Sequence, residues 1–271
     1  MEIYGLRPDD PAVFHAIANE DLEAVQEILR ENANSANARM ADPDQTPLIA
    51  AAWKANLAIL TALLGAGADP NATNQNGQTA LIVAAKSGAD PLLLRLIEQG
   101  AGVNGRSHGD TVLHTAVQTC ERDVVQALLG AGADVNAERN DGATPLLMAA
   151  HAKRTDNAAV LIASGAEVTG ARQALNANGP YDYALMIAAD HGASDLVELF
   201  LTHSWRQDIM DCSLKMAAET GDLTSVKLLR EAGADPRAKT GVRPKSAVEV
   251  ARRKKHKAIV EYLLRLESAC V

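Results

Sequence analysis

Aromatic residues are scarce in this sequence: two Phe, four Tyr and two Trp make up 3% of 271 residues, although 47% are hydrophobic. Rings usually supply much of the area buried in a single globular core, so a core gathered around bulky side chains is excluded. Cysteine is scarcer still. Cys120, Cys212 and Cys270 are odd in number and far apart, with no C-x-x-C pair. This spacing speaks against a disulfide framework or a structural zinc site and fits a reducing cytoplasm. No apolar run approaches the ~18 residues that span a bilayer, so no membrane partner is expected. Residues Met1 to Asp10 include acids but no basic segment ahead of an apolar stretch, so no secretory signal is expected. With 19 Gly and 10 Pro, neither a collagen-like nor a disordered chain is tenable.

Alanine takes the place of the rings, at roughly a fifth of the chain. Such a composition suits many short helices packed at close range. Charge is uneven. The net charge is −8, yet the segment from Pro236 onward holds ten Lys/Arg and three Asp/Glu, which leaves the 235 residues before it at −15. An acidic body argues against nucleic acid as a partner and leaves room for a basic protein.

Internal repetition is plain. Gly67-Ala68-Asp69-Pro70-Asn71 recurs as Gly100-Ala101-Gly102-Val103-Asn104, Gly132-Ala133-Asp134-Val135-Asn136, Gly165-Ala166-Glu167-Val168 and Gly233-Ala234-Asp235-Pro236. The steps are 33, 32, 33 and 68 residues, the last being two periods with one degraded copy. A second string keeps the same phase: Thr46-Pro47-Leu48, Thr79-Ala80-Leu81, Thr111-Val112-Leu113-His114 and Thr144-Pro145-Leu146. Thr caps a helix by accepting free backbone N–H groups, and Pro at the first helical position gives up no hydrogen bond. Small Ala pairs follow (Ala51-Ala52, Ala84-Ala85, Ala149-Ala150), then a glycine break at Gly88, Gly192 or Gly221, then a second helix ending in a Leu pair. Helices of ~10 residues are not stable alone, so each unit must bury its faces against its neighbours.

These residues resemble the ankyrin-repeat family, whose unit reads T-P-L-H-x-A-A, a Leu-Leu pair, then G-A-D-V-N. The resemblance covers nearly the whole chain and implies an all-α fold, an ankyrin-repeat solenoid of stacked helix-turn-helix units joined by finger loops or short β-hairpins. One domain over 1–271 is expected, with eight units whose inner helices start near Pro11, Thr46, Thr79, Thr111, Thr144, Tyr183, Cys212 and Ser246. The end units, about 9–42 and 241–271, act as caps. The pattern breaks in two places, a lengthened finger at 169–182 and a shortened one at 202–211. Either break adds binding specificity or is drift in a tolerant surface loop.

The chemistry reads negative. Gly65/Gly67, Gly100/Gly102 and Gly130/Gly132 lack a preceding strand and a following Gly-Lys-Ser/Thr, so they are turns rather than phosphate loops. His114 fills the T-P-L-H slot, for which the resemblance implies a structural histidine bonding backbone in the adjoining loop. Asp190 and His191 are neighbours on a helix and do not face each other as an acid–base pair would. His203, Asp208, Asp211 and Cys212 match no zinc or EF-hand spacing and read as a solvated loop. Nothing beside Cys120 predicts a lowered thiol pKa. No catalytic, cofactor-binding or metal-ligating residue is identified, and no cofactor or enzyme activity is expected. The run Arg252-Arg253-Lys254-Lys255-His256-Lys257 reads as a solvated polar cap. A nuclear signal, phospholipid contact or nucleic-acid contact is the competing reading.

In the resembling family the freely varying surface positions are the two residues after A-A and the finger tips. Carried over, they propose Trp53, Lys54, Lys86, Arg106, His108, Gln118, Arg139, His151, Tyr181, Asp190, His191 and Glu219 as partner-binding residues. Trp53 stands out, because Trp is the residue most enriched at binding hot spots; the competing reading has the adjacent finger covering its ring. Basic Lys54, Lys86, Arg106 and Arg139 in the first half against acidic Asp190 and Glu219 in the second predict two electrostatically different regions. The expectation is therefore a cytoplasmic, non-catalytic scaffold, monomeric when free. It would bind a folded protein, a toxin or enzyme among the candidates, and inhibit or neutralise it. A bacterial immunity-type protein or a secreted effector acting on host proteins is the alternative; an enzyme using the irregular region has no positive support.

Overall fold

A computed structural model of the protein describes residues 10–41, 44–169, 183–240 and 244–268. Its contacts divide the chain into two compact units, Met1–Arg139 and Asn140–Val271. In the first, four antiparallel helix pairs follow one another: α1 (Ala12–Ala18) with α2 (Leu22–Glu31), α3 (Pro47–Trp53) with α4 (Leu57–Gly65), α5 (Ala80–Ser87) with α6 (Asp90–Glu98), and α7 (Val112–Thr119) with α8 (Arg122–Gly130). Two fingers carry two-stranded antiparallel hairpins, β1 (Met40–Ala41) with β2 (Asp44–Gln45) and β3 (Arg106–Ser107) with β4 (Asp110–Thr111). The second unit repeats the design with α9 (Pro145–His151) and α10 (Thr155–Ala163), α11 (Ala184–Asp190) and α12 (Ser194–Leu201), α13 (Gln207–Thr220) and α14 (Leu223–Glu231), and α15 (Ala247–Lys254) and α16 (Lys257–Ser268). The all-α repeat architecture is the one expected.

The start of each inner helix follows from its cap. Thr46, Thr79, Thr111 and Thr144 each accept, through Oγ1, the N–H three residues on, at 3.3–3.4 Å. Ser246 forms a reciprocal box with Glu249. Behind the caps the alanines do what their size allows. Ala50, Ala51 and Ala52 on α3 and Ala84 and Ala85 on α5 are at most 1% exposed, and α3 packs on α5 as α5 packs on α7. Leu63, Leu93, Leu96 and Leu128 fill the space between inner and outer helices. Inner helix starts match the sequence reading at seven units. The seventh differs: α13 begins at Gln207, not Cys212, so the second half of the expected shortened finger 202–211 is helix. Asp208, Asp211 and Cys212 lie on that helix and not in a solvated loop, and Asp211 is buried. Residues 170–182 of the long finger lie outside the described residues.

Successive pairs are joined by a ladder of side-chain amides. Asn37 donates from Nδ2 to the Gly67 carbonyl (2.8 Å) and accepts the Asp69 N–H on Oδ1 (2.8 Å). One full rung on, Asn104 does the same to Gly132 (2.9 Å) and Asp134 (3.0 Å). Each Asn thus satisfies the donor and acceptor of the next turn, which backbone alone leaves open. In the second unit two residues of α13 share this job. Gln207 Nε2 donates to the Gly233 carbonyl at 3.0 Å, and Asp211 Oδ1 accepts the Asp235 N–H at 2.7 Å and the Gln207 amide at 2.8 Å. The finger lost in sequence is replaced in function by one turn of helix.

Candidate functional site

The residues proposed to face a partner sort into those with hydrogen-bonding or ionic work inside the fold and those without. Lys54, the C-cap of α3, donates from Nζ to the Ala18 carbonyl at 2.8 Å and lies 3.6 Å from Glu20 Oε1, with its side chain only 15% exposed. Arg106 Nη1 donates to the carbonyls of Gly109 (3.2 Å) and Glu138 (2.7 Å), which joins two fingers. Arg139 pairs with Asp110 at 2.7 Å. Gln118 Nε2 bonds the His114 carbonyl one turn back at 2.8 Å. Glu219 sits between Arg253 (3.0 Å) and Lys254 (3.4 Å), and its carbonyl accepts from His256 Nε2 at 3.1 Å. Three of the four cations expected to make the first region basic are therefore engaged, as is Glu219, one of the two acids expected to mark the second. Lys86 stays exposed on the last turn of α5. His108 is exposed at the tip of the β3–β4 hairpin with φ +54°. Tyr181 lies outside the described residues.

Trp53 remains uncovered. It ends α3 with 41% of its surface exposed, the most exposed of the large hydrophobic side chains described. Trp205, by contrast, is half-buried: its Nε1 donates to the Phe200 carbonyl at 2.8 Å and its ring meets Tyr183 edge-on at 6.5 Å. The finger residues Met40 and Asn74 are both buried. Asn74 accepts the N–H groups of Asn76 and Gln78 at 3.0 Å and so holds its own loop closed.

In the second unit His151, at the end of α9, and His191, the C-cap of α11, meet edge to face with ring centroids 5.2 Å apart. His191 Nδ1 lies 2.8 Å from the Ile187 carbonyl. A carbonyl only accepts, so Nδ1 carries the proton in this bond. Burial, with His191 beside it, holds His151 below the ordinary imidazole value of 6.5, against an opposing pull from Asp190. A lowered folded-state value means that the unfolded chain takes up the proton first. Stability from this group is thus complete above pH 6.5 and is lost as pH falls through the lowered value. Urea unfolding of the wild type should show a fall in midpoint between pH 7.5 and 5 that is smaller in His151→Gln; equal pH slopes in the two proteins would refute it.

His114 takes the structural role that the resemblance implies. It is fully buried, and its Nδ1 accepts the Thr111 N–H at 3.2 Å and lies 2.8 Å from Thr111 Oγ1. Among the described residues no three His, Cys, Asp or Glu side chains stand together to hold a metal ion. Nor is any described helix long and apolar enough to cross a membrane. The inner-helix carbonyl ends were missed by sequence reasoning. Thr119 Oγ1 donates to the Ala85 carbonyl (2.7 Å) and Thr220 Oγ1 to the Asp190 carbonyl (3.1 Å), as Lys54 and His256 do at their own positions. Each of these donors lies 30–37 residues beyond the carbonyl it meets, about one repeat on, and that spacing is the signal that could have found them.

Comparison with known proteins agrees with this geometry. A family profile described as ankyrin repeats (3 copies) matches residues 51–139. Alpha-latroinsectotoxin-Lt1a of Latrodectus tredecimguttatus is 34% identical over 124 residues, covering 45% of this chain and 9% of the toxin. The E3 ubiquitin-protein ligase KEG of Arabidopsis thaliana is 30% identical over 175 residues, 59% of this chain and 11% of the ligase. A putative ankyrin repeat protein of fowlpox virus, FPV031, is 36% identical over 108 residues, 38% of this chain and 32% of its own length. The chain thus spans only a small part of these relatives. Among solved structures, the human ASB11 ankyrin repeat domain superposes with a TM-score of 0.67 at 25% identity, covering 81% of this chain and 97% of that one.

Proposed function

The chain is an ankyrin-repeat protein, and we propose that it works without catalysis of its own, as a module that holds a folded protein against its inner helices and fingers. The observation that carries this reading is Trp53. A Trp 41% exposed at the end of a helix whose other residues are buried offers a partner a large, rigid apolar contact. Beside it Lys54 is tied down by its own fold, so that part of the surface is preorganised, which lowers the ordering cost of association. The acidic balance ahead of Pro236 suits a basic partner. In the finer form of the proposal, binding in a bacterial cytoplasm neutralises that partner. Deleting the gene should then harm cells only while the neutralised protein is made.

Affinity capture from native lysate tests the reading, with Trp53→Ala as the comparison. Loss of a central Trp anchor costs about 2 kcal/mol or more in binding, so recovery of the partner should fall at least about tenfold. Thermal stability should stay close to wild type, because the ring is exposed. Equal recovery of the same proteins by both would sink the assignment of this face.

A further inference from the structure

The third finger of the first unit departs from its neighbours by one missing carboxylate. In the fingers that start at Gly67, Gly132 and Gly233, the third residue is Asp69, Asp134 or Asp235. Its Oδ1 accepts the backbone N–H two residues on, from Asn71 (2.9 Å), Asn136 (3.0 Å) and Arg237 (2.9 Å). The finger that starts at Gly100 carries Gly102 there, and the matching donor, the Asn104 N–H, has no acceptor among the described residues. The ladder above is incomplete at the same place. Asn71 Oδ1 accepts the Gly102 N–H at 2.7 Å, which fixes that atom as the oxygen. Its Nδ2, unlike those of Asn37 and Asn104, finds no glycine carbonyl.

These groups open into a cleft of about 700 Å³ lined by Asn71, Gly102, Asn104 and Arg106, in which Arg106 is the only charged residue. Two carbonyls engage Nη1 of Arg106, and the guanidinium has five N–H donors in all. In a chain of net charge −8 the cleft is a local concentration of donors without an acid. Backbone conformation does not demand the glycine, since Gly102 does not lie in the left-handed region. A Cβ there would sit 3.1 Å from Asn71 Oδ1, close enough that the Asn71 side chain must give by a few tenths of an ångström, while the Gly102 N–H already meets that oxygen as the Asp69 N–H meets Asn37.

We infer that this cleft is a subsite for one carboxylate, an Asp or Glu side chain of the protein partner, seated where Asp69, Asp134 and Asp235 place their own. The Asn104 N–H and the Asn71 amide donate to it, and Arg106 supplies the opposite charge, the combination that makes hydrogen bonds to carboxylates strong. The inference rests on the partner-binding reading: in a partner the surrounding contacts add to the grip on the carboxylate, and a peptide that carries the carboxylate alone binds more weakly by their loss.

NMR titration of the ¹⁵N-labelled full chain tests it, with four probes. They are acetyl-Gly-Gly-Glu-Gly-Gly-amide, its Gln analogue, an acetylated pentaglycine with a free C-terminus, and inorganic phosphate. The Glu peptide should move the Asn104 amide saturably, and the Gln peptide should bind about fivefold more weakly or less. Gly102→Asp supplies the carboxylate from within, so it should abolish the response while melting at or above the wild-type temperature. Gly102→Ala should keep the response. An unchanged response in Gly102→Asp, an equal loss in both variants, or equal binding of Glu and Gln peptides overturns the subsite. A stronger response to the free C-terminus overturns the side-chain source, and a response to phosphate alone overturns the carboxylate. Failure here is separable from failure of the module reading. Partner capture that needs Trp53 but ignores Gly102→Asp sinks the subsite alone, and peptide binding without any captured partner sinks the module alone.

Discussion

Replacing Gly221 with Ala lowers the stability of the chain by about 2–4 kcal/mol, read as a shift in the urea midpoint. Gly221 ends α13 with φ +93° and ψ 14°, a left-handed conformation that costs an L-residue about 1–2 kcal/mol. Space adds to that. A Cβ on Gly221 would lie 2.7 Å from Cε1 of His256, with both ring nitrogens at 3.0–3.1 Å. The ring does not swing aside freely, because Nε2 bonds the Glu219 carbonyl at 3.1 Å and the His256 backbone is tied to Ala251. Gly67 serves as the control, with a similar φ of +87° and nothing within 4 Å of an added Cβ. Gly67→Ala should therefore show the backbone cost alone, about 1–2 kcal/mol. In the double variant Gly221→Ala/His256→Ala the two costs should fall short of their sum by about 1 kcal/mol. Equal losses at Gly221 and Gly67, with additive behaviour in the double variant, would show that the ring contact contributes nothing.

That contact also marks how far the sequence could be read. Gly221 was legible as a break between helices, because glycine is what a left-handed C-cap selects. Its collision partner was not, since His256 belongs to the next unit and reads in isolation as one more base in a cationic run. The same division holds across the candidate site. The caps Thr46, Thr79, Thr111 and Thr144 announce themselves within four residues of chain, so helix starts were readable wherever they occur. Lys54, Arg106, Arg139 and Glu219 looked free because each finds its partner in a neighbouring unit or finger, Ala18, Glu138, Asp110 and Arg253 respectively. A motif describes one unit, whereas these bonds lie between units. Trp53 differs from them in being a large apolar residue left 41% exposed.

The seventh unit shows the same limit from the other side, and yields the second large effect. Asp211→Ala costs about 2–3 kcal/mol, whereas Asp211→Asn costs about 0.5–1 kcal/mol. Asp211 is 8% exposed, and its Oδ1 accepts both the Asp235 N–H (2.7 Å) and the Gln207 amide (2.8 Å). Alanine removes the acceptor of two part-buried bonds at once, one of them from a backbone group at a helix-to-finger turn, and hydrogen bonds to a charged group are worth about 1.5–3 kcal/mol. Asparagine keeps the accepting oxygen and is the residue that Asn37 and Asn104 use against the equivalent turns of the first unit. Gln207→Ala should cost about 1 kcal/mol, since the Gly233 carbonyl it abandons is exposed and can turn to water. The ordering of the three variants by thermal unfolding is the decisive reading. If Asn at 211 were as damaging as Ala, the charge of the carboxylate would be what the site needs. Gln207 and Asp211 would then not be the helical replacement for a finger asparagine, and the shortened finger would be a local loss that the fold tolerates without compensation.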